Sequence, residues 1–335
     1  MLSSIRTSIL LTTIILLSTL MCGCGERSRY IEIKGEALGT FVQVKCNTTL
    51  PQEAISNIIQ EVDRESKNSM SIFSTTSLLS RLNRNETDSL DCHITRNIEL
   101  AKRFSVISDG AYDITIKPLT DALGFGKEEA QNSVNVDSLL EFVGYELLSI
   151  ENHRLRKADS RTEIDLNSIA KGYTVDLIAE RMEELMIEDY MVNIGGEIRC
   201  KGVNPAGERW SIAIETPYDG NMAMDAFEKI IRISDRAVAT SGNYRRYYLT
   251  ASGQKVAHTI DPKSGRSAVS SLLSATVIAP TCAEADAAAT MLMTLGASGS
   301  AERIAEQCHR DFGWDYYLIF ADKEEEYRVV CSEGF

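Results

Sequence analysis

The N-terminal segment constrains the fold most, because it has the pattern of an export signal and so limits which residues can form a domain. Arg6 is the only charged residue before Glu26, and the apolar run 9–17 lies between them. The apolar stretch ends at Met21-Cys22-Gly23-Cys24. A basic start, a short apolar core and a small residue before a cysteine are typical of a secretory signal peptide. We therefore predict a signal peptide over residues 1–23.

The signal ends in a pattern typical of bacterial lipoproteins. Gly23 is small enough for the signal peptidase, and Cys24 then becomes the lipidated N-terminus. Cys22 is the alternative lipidation site, although a bulky methionine precedes it. An uncleaved membrane anchor is a further alternative, but the apolar run is short for a membrane-spanning helix. We predict an extracytoplasmic protein on the periplasmic side of a bacterial membrane, lipid-anchored through a tether at 24–29, with one domain at 30–335.

Composition limits the classes of function. The chain has 335 residues, of which 44% are hydrophobic and 25% are charged, as expected for a globular protein with a large core. The formal net charge of −13, with no basic stripe, argues against nucleic-acid binding. A small anionic ligand is still compatible with this charge, provided that a metal ion or a few local cations meet it.

The cysteines do not indicate a zinc site. Six lie outside the signal region, with no C-x-x-C pair among them: Cys46, Cys92, Cys200, Cys282, Cys308 and Cys331. An exported protein can form disulfides, and Cys308 with Cys331 is the candidate pair. Buried free thiols are the favoured interpretation, because a domain of this size does not need disulfide stabilisation.

The hydrophobic patterns mix strands with helices. Alternation predicts strands at 30–34, 41–45, 190–194, 210–214, 230–233, 247–249, 275–278, 316–320 and 327–331. Helical spacing predicts helices at 51–62, 97–107, 169–182, 283–295 and 299–310. Turns are predicted at 35–40 and 251–253. Consecutive hairpins favour an α+β fold over a doubly wound parallel sheet.

The most specific local pattern starts a helix near Thr281. Thr281 and Glu284 form a capping box, and Asp286 and Thr290 then share a helix face. A carboxylate and a hydroxyl near a helix N-terminus suit Mg²⁺ that carries a phosphate group. The alternative is an aspartate that only complements the helix dipole.

Three other segments combine polar side chains with turns. Residues 165–173 bring a carboxylate and a lysine to the start of a helix, which suits a phosphate or adenosine group but is also an ordinary helix start. His258 precedes a Pro/Gly turn at 262–265 and is a candidate general base, although a lone histidine is more often structural. Residues 110–115 place an aromatic beside a carboxylate. No nucleophile elbow, P-loop or dinucleotide-binding glycine pattern is present.

Taken together, the order and spacing of these segments match one family. The matching segments are 38–40, 70–73 with the Ser-x-x-x-x-Leu-Asn run at 77–83, 110–115 with 118–119, 124–126, 165–173, 192–196, 239–244, 258–265 and 285–290. Between Gly35 and about Phe320 the chain resembles the ApbE family of flavin transferases, the FAD:protein FMN transferases. The resemblance implies an α+β ApbE-like fold of two mixed sheet/helix subdomains, with a flavin cleft between them.

The resemblance also implies roles for individual residues. Mg²⁺ would be held by Asp286, Thr290 and the backbone carbonyl of Ser168, and His258 would be the base. Asp286 and His258 are thus the expected catalytic residues. The residues expected to contact FAD are Leu38, Phe73, Ala111, Tyr112, Asp113, Asp165, Lys171 and Ile260.

Three positions depart from the family pattern. Leu38 replaces a usual methionine, which is a tolerable apolar exchange. Phe73 stands where tyrosine is common, so that the stacking face is kept and the hydroxyl is lost. Asn167-Ser168 replaces a pair of smaller residues, which affects the inferred carbonyl ligand.

The implied reaction moves FMN from FAD to a threonine or serine hydroxyl of a partner protein, and AMP leaves. The expected acceptor is a flavin-bearing subunit of a membrane redox complex. Two alternatives use the same site: an FAD pyrophosphatase that gives FMN and AMP, and a non-catalytic flavin-binding lipoprotein.

Overall fold

The computed structural model describes most of the predicted domain. The described residues are 29–126, 135–217, 227–243, 247–249, 253, 255–322 and 327–335. The predicted signal peptide, nearly all of the tether and the lipidation site at Cys24 lie outside these residues. No helix of the described part is long and apolar enough to cross a membrane.

The described strands pair only with antiparallel neighbours inside their sheets. They are β1 Arg29–Ala37, β2 Thr40–Thr48, β3 Leu148–Glu151, β4 Arg154–Lys157, β5 Tyr190–Ile194, β6 Glu197–Lys201, β7 Trp210–Glu215, β8 Phe227–Ile233, β9 Arg236–Gly242, β10 Tyr247–Leu249, β11 Lys255–Ala257, β12 Ile260–Asp261, β13 Arg266–Ser267, β14 Leu272–Ala279, β15 Asp315–Ala321 and β16 Tyr327–Cys331. Eight of them form one sheet in the order β1-β2-β5-β6-β9-β14-β15-β16. The other strands form two-stranded hairpins.

The described helices occur in runs that are separated by runs of strands along the chain. They are α1 Gln52–Met70, α2 Leu78–Asn83, α3 Cys92–Ile107, α4 Lys117–Ala122, α5 Val136–Leu140, α6 Ala170–Glu184, α7 Cys282–Gly296 and α8 Ala301–Phe312, with a short 3₁₀ turn at Tyr145–Leu147. The predicted α+β class is therefore confirmed.

The large sheet is covered on both faces. Helices α1, α6, α7 and α8 bury one face in the larger apolar core, and α7 packs directly on β9 and β14. The β7–β8 hairpin covers a second cluster on the other face, which includes Trp210, Ile212 and Ile231. In β7 buried and exposed side chains alternate, as the two-residue period of a half-covered strand requires.

Local sequence rules explain where the predictions and the structure differ. The helix predicted from Asn97 begins at Cys92, because the Asp91 carboxylate caps it by accepting from the Ile94 amide at 2.8 Å. The turn predicted at 35–40 narrows to Leu38-Gly39, whose φ values of 51° and 75° match a two-residue hairpin turn. The elements that were not predicted are strands β3, β4, β6, β9 and β13 and the short helices α2, α4 and α5.

Two further predictions are resolved by the described residues. Strands β10 and β11 pair as the hairpin that was predicted, although Gly253 is the only residue of its turn that is described. The six cysteines outside the signal region are free thiols, with Cys308 buried and Cys331 exposed. The candidate disulfide between those two cysteines is absent, and buried free thiols account for four of the six.

Candidate active site

A cavity of about 330 Å³ collects most of the predicted site residues from distant parts of the chain. Its lining includes the predicted residues Ala111, Tyr112, Asp113, Asp165, Ser168, Lys171, His258, Ile260, Asp286 and Thr290. Two larger surface depressions, of about 550 and 470 Å³, contain none of the predicted site residues. The predicted site is therefore a single place in the fold.

Helix α7 supplies a carboxylate and a hydroxyl to this cavity. Asp286 is only 4% exposed, and its Oδ2 accepts a hydrogen bond from the Gly172 amide at 2.9 Å. Thr290 follows one turn later, with its Oγ1 3.2 Å from the Ser241 Oγ on β9. The alternative of an aspartate that only complements its own helix dipole is wrong, because the side chain is buried and bonds to α6.

The first amides of α7 have partners within the protein. Thr281 caps the helix as expected, accepting from the Glu284 amide at 3.3 Å. The Cys282 and Ala283 amides, however, donate to the buried Asp176 carboxylate at 2.9 and 2.8 Å. These amides are therefore committed to Asp176, and the Asp286 side chain reaches the cavity from the side of the helix.

An ion pair lies beside Asp286. The Nζ of Lys171 is 2.7 Å from the Oε2 of Glu197, which is buried at the start of β6. Burial and the Glu197 carboxylate raise the pKa of Asp286 to about 8, while Lys171 lowers it. A cation at the cavity would therefore favour the charged form of Asp286.

The donor types suit a hard cation. Asp286 offers a carboxylate, Thr290 a hydroxyl, and the loop at Ser168 lines the same cavity. The Tyr112 hydroxyl, 2.8 Å from the Ser168 Oγ, links this loop to the opposite wall. In the described residues no three His, Cys, Asp or Glu side chains cluster to hold a metal. Mg²⁺ is commonly bound by one or two carboxylates together with waters and substrate phosphates, so the residues fit this ion.

Two more buried carboxyl groups shape the wall. Asp113 accepts from the Thr115 and Tyr145 amides at 2.8 and 2.6 Å, and Asp165 accepts from the Asn167 amide at 2.8 Å. Burial raises the pKa of Asp113 and of Asp165. These carboxylates thus fix the backbone turns that carry Tyr112 and Ser168.

His258 lies on the wall formed by the turn before β12. Its ring is half-buried and meets the Phe125 ring edge to face, with 6.4 Å between the centroids. Ile260 is 2% exposed and lines the cavity next to it. The Thr259 hydroxyl, between His258 and Ile260, donates to the Asn243 side chain at 2.7 Å and so fixes this part of the wall.

Two predicted FAD contacts are not among the lining residues. Leu38 lies in the β1–β2 turn, where its amide donates to the Asp63 carboxylate at 2.8 Å. Phe73 is 52% exposed in the turn that follows α1. Their contacts with FAD stay predictions.

Sequence reasoning missed several lining residues. They are Ile116, Thr120, Phe125, Asn167, Gly195, Glu197, Thr240, Ser241, Gly242, Thr259, Pro262 and Thr294. Glu197 could have been noticed in the sequence, because it is a charged residue that directly follows Gly195-Gly196. In the structure it begins the largely buried strand β6. Thr240 and Ser241 lie in strand β9, whose alternation is interrupted by small residues.

Comparison with known proteins points to one family. The ApbE family model matches residues 38–311. The FAD:protein FMN transferase of Vibrio cholerae is 36% identical over 288 residues, covering 83% of this chain and 85% of the relative. That of Haemophilus influenzae is 34% identical over 304 residues and covers 86% of each chain. The matched region contains every predicted site residue of the domain.

Solved structures share the architecture. The flavin transferase ApbE from Vibrio cholerae has a TM-score of 0.80 at 30% identity, covering 92% of this chain and 98% of that chain. The apo flavinyl transferase ApbE from Pseudomonas stutzeri has a TM-score of 0.79 at 28% identity, covering 91% of this chain and 95% of that chain. The ApbE-like fold predicted from the sequence is therefore confirmed.

Proposed function

We propose that this chain, which belongs to the ApbE family, is an FAD:protein FMN transferase. The observation that carries the proposal is the cavity itself. It joins the buried Asp286 and the partly buried Thr290 of α7 to His258 on another wall. The curated relatives named as FAD:protein FMN transferases, at 34–36% identity over most of the chain, support the same activity.

The proposed reaction is a substitution at the FMN phosphorus. The hydroxyl oxygen of an acceptor threonine or serine forms a new P–O bond, and the phosphoanhydride bond to AMP breaks. His258 takes the proton of the attacking hydroxyl, a role that typically contributes about 10²- to 10⁴-fold to the rate. AMP leaves, and the acceptor keeps FMN through a phosphoester.

Asp286, Thr290 and the Ser168 carbonyl are the residues that would hold Mg²⁺. When bound, this ion supplies positive charge against the negative charge that develops as the phosphoanhydride breaks. Lys171 and Glu197 fix the electrostatic surroundings of Asp286 through their 2.7 Å ion pair. Phe125 and Ile260 provide apolar walls that keep water from the reacting groups.

The proposed location and partner rest on the sequence. The N-terminal pattern supports a lipid-anchored protein outside the cytoplasm, modified at Cys24. An enzyme held at a membrane surface can reach acceptor subunits of membrane redox complexes, which we propose as its substrates. The formal net charge of −13 does not favour nucleic acid as a partner.

One incubation tests the activity and separates its alternatives. The mature protein is mixed with FAD, Mg²⁺ and a candidate acceptor subunit, and the acceptor mass and the released AMP are measured. Equal amounts of AMP and FMN-bearing acceptor support transfer. AMP with free FMN and an unmodified acceptor indicates a pyrophosphatase, and bound intact FAD without AMP indicates a binding protein.

A matched pair of histidine variants assigns the role of His258. His258→Ala should lose transfer while retaining FAD, whereas His153→Ala, at an exposed hairpin turn, should behave as wild type.

A further inference from the structure

A second buried carboxylate, Asp176, holds the start of the helix that carries Asp286 and Thr290. Asp176 is 4% exposed on α6, and its two oxygens accept from the Cys282 and Ala283 amides at 2.9 and 2.8 Å. These amides begin α7 and have no partner within their own helix. Thr281 caps the next amide, that of Glu284, and Asp176 on the neighbouring helix α6 binds the two amides before it.

A cation accompanies this carboxylate. The Nη1 of Arg199, on β6, donates to the Asp176 Oδ1 at 2.9 Å, and its Nη2 donates to Glu183 at 3.2 Å. A buried carboxylate without a partner is costly, so the guanidinium is what allows a charge at this position. The sheet, α6 and α7 are thereby joined through one group of hydrogen bonds.

Asp176 and Gly172 lie four residues apart and so on one face of α6. Through these two residues α6 holds α7 at two points. Asp176 binds the first amides of α7, and the Gly172 amide binds the Asp286 carboxylate one turn further along. The position of α7 along α6 therefore determines where Asp286 meets the cavity.

We propose that Asp176, paired with Arg199, is a positioning residue for the metal-binding carboxylate Asp286. It contacts neither FAD nor the reacting atoms. It fixes the start of α7, and therefore the depth and direction at which the Asp286 and Thr290 oxygens face a bound Mg²⁺. This inference rests on the proposed function, because it assumes that Asp286 serves a metal.

The test measures binding, separately from turnover. FAD binding to the mature protein is followed by quenching of flavin fluorescence while Mg²⁺ is titrated. The Asp176→Asn side chain keeps the shape of aspartate but has only one oxygen to accept from the Cys282 and Ala283 amides. It should raise the Mg²⁺ concentration for half-maximal FAD binding by about 10- to 100-fold, the usual effect of removing a residue that orients a metal ligand. Activity should recover as Mg²⁺ is raised.

Asp91→Asn is the matched control. Asp91 caps α3 by one hydrogen bond to the Ile94 amide at 2.8 Å and does not line the cavity. The asparagine Oδ1 can still accept this bond, so both the unfolding temperature and the Mg²⁺ dependence of Asp91→Asn should stay close to those of wild type. If Asp176→Asn does not fold, Arg199→Lys replaces it, with a smaller shift expected in the same direction.

Three results decide the outcome. A folded Asp176→Asn or Arg199→Lys variant with the Mg²⁺ dependence of Asp91→Asn would overturn the positioning role. FAD binding by the wild type that ignores Mg²⁺ would overturn it as well. Wild-type protein that binds FAD with Mg²⁺ but never labels an acceptor or releases AMP refutes the transferase instead, and a shifted Mg²⁺ dependence in Asp176→Asn still supports the positioning role.

Discussion

Gly172→Ala should damage both stability and activity, because α6 and α7 touch at this glycine. A Cβ at position 172 would lie 2.3 Å from the Cys282 carbonyl oxygen and 2.8 Å from the Asp286 Cβ. Both contacts are well below the 3.4 Å at which ordinary contact begins. The two helices would therefore have to separate by about 1 Å to accommodate the methyl group.

The size of the effect follows from this overlap. Overpacking a close contact costs about 1–3 kcal/mol, and the better helix propensity of alanine offsets about 0.5–1 kcal/mol of it. The free energy of unfolding should thus fall by up to about 2.5 kcal/mol, and each kcal/mol should lower Tm by about 2–4 °C. A displacement of about 1 Å at Asp286 should slow AMP release by about 100-fold.

The assay pairs thermal unfolding with AMP release at saturating FAD and Mg²⁺. Gly35→Ala is the matched control, since its added Cβ would meet only the Val42 Cγ1 at an ordinary 3.7 Å. It should leave both readouts close to wild type. A Gly172→Ala variant with wild-type Tm and wild-type AMP release would show that the helices do not approach as closely as described.

Three other predictions test separate parts of the proposal. His258→Ala should slow FMN transfer by about 10²- to 10⁴-fold in single-turnover assays with an unchanged FAD dissociation constant, and wild-type transfer or lost FAD binding would contradict the base role. Asp286→Asn should abolish AMP release. Burial raises the pKa of Asp286 to about 8, so the stability of the wild-type protein in chelator should fall as pH rises from about 4 to 8. The neutral amide of Asp286→Asn does not titrate, so the Tm of this variant should gain on that of wild type over the same range. A Tm difference that did not grow with pH would contradict the burial of a charge at this position. Cys24→Ala should block incorporation of labelled fatty acid while Cys22→Ala does not, and labelling of the Cys24 variant would refute the lipidation site.

The sequence predicted those elements whose pattern is local. Strands such as β7 alternate cleanly and were found within one residue of their bounds. The α6 and α7 helices have continuous apolar repeats, and Thr281 marks the start of α7. Strand β9 was missed because its buried residues are small, and β6 because Glu197 and Arg199 are charged although the strand is largely buried.

The candidate site was predicted through resemblance more than through pattern. Asp286 and Thr290 were placed correctly on one helix face, but the spacing could not show that Asp286 is buried or that its partner is an amide on another helix. Asp176 could not be found from its surroundings in the chain, since the amides it caps lie more than 100 residues away. Contacts of this kind depend on which helices become neighbours in the fold.

The charge of the cavity explains why a cation matters for an acidic chain. Among its lining residues, Asp113, Asp165, Glu197 and Asp286 carry carboxyl groups, and Lys171 is the lining lysine. Because Lys171 already pairs with Glu197 at 2.7 Å, its charge is largely committed within the protein. The pyrophosphate of FAD would add further negative charge to this surface, so under the proposed function we expect its binding to need a cation. Asp286 would hold Mg²⁺ in the proposed function, so FAD affinity should depend on this ion and on the residues that hold α7 in place.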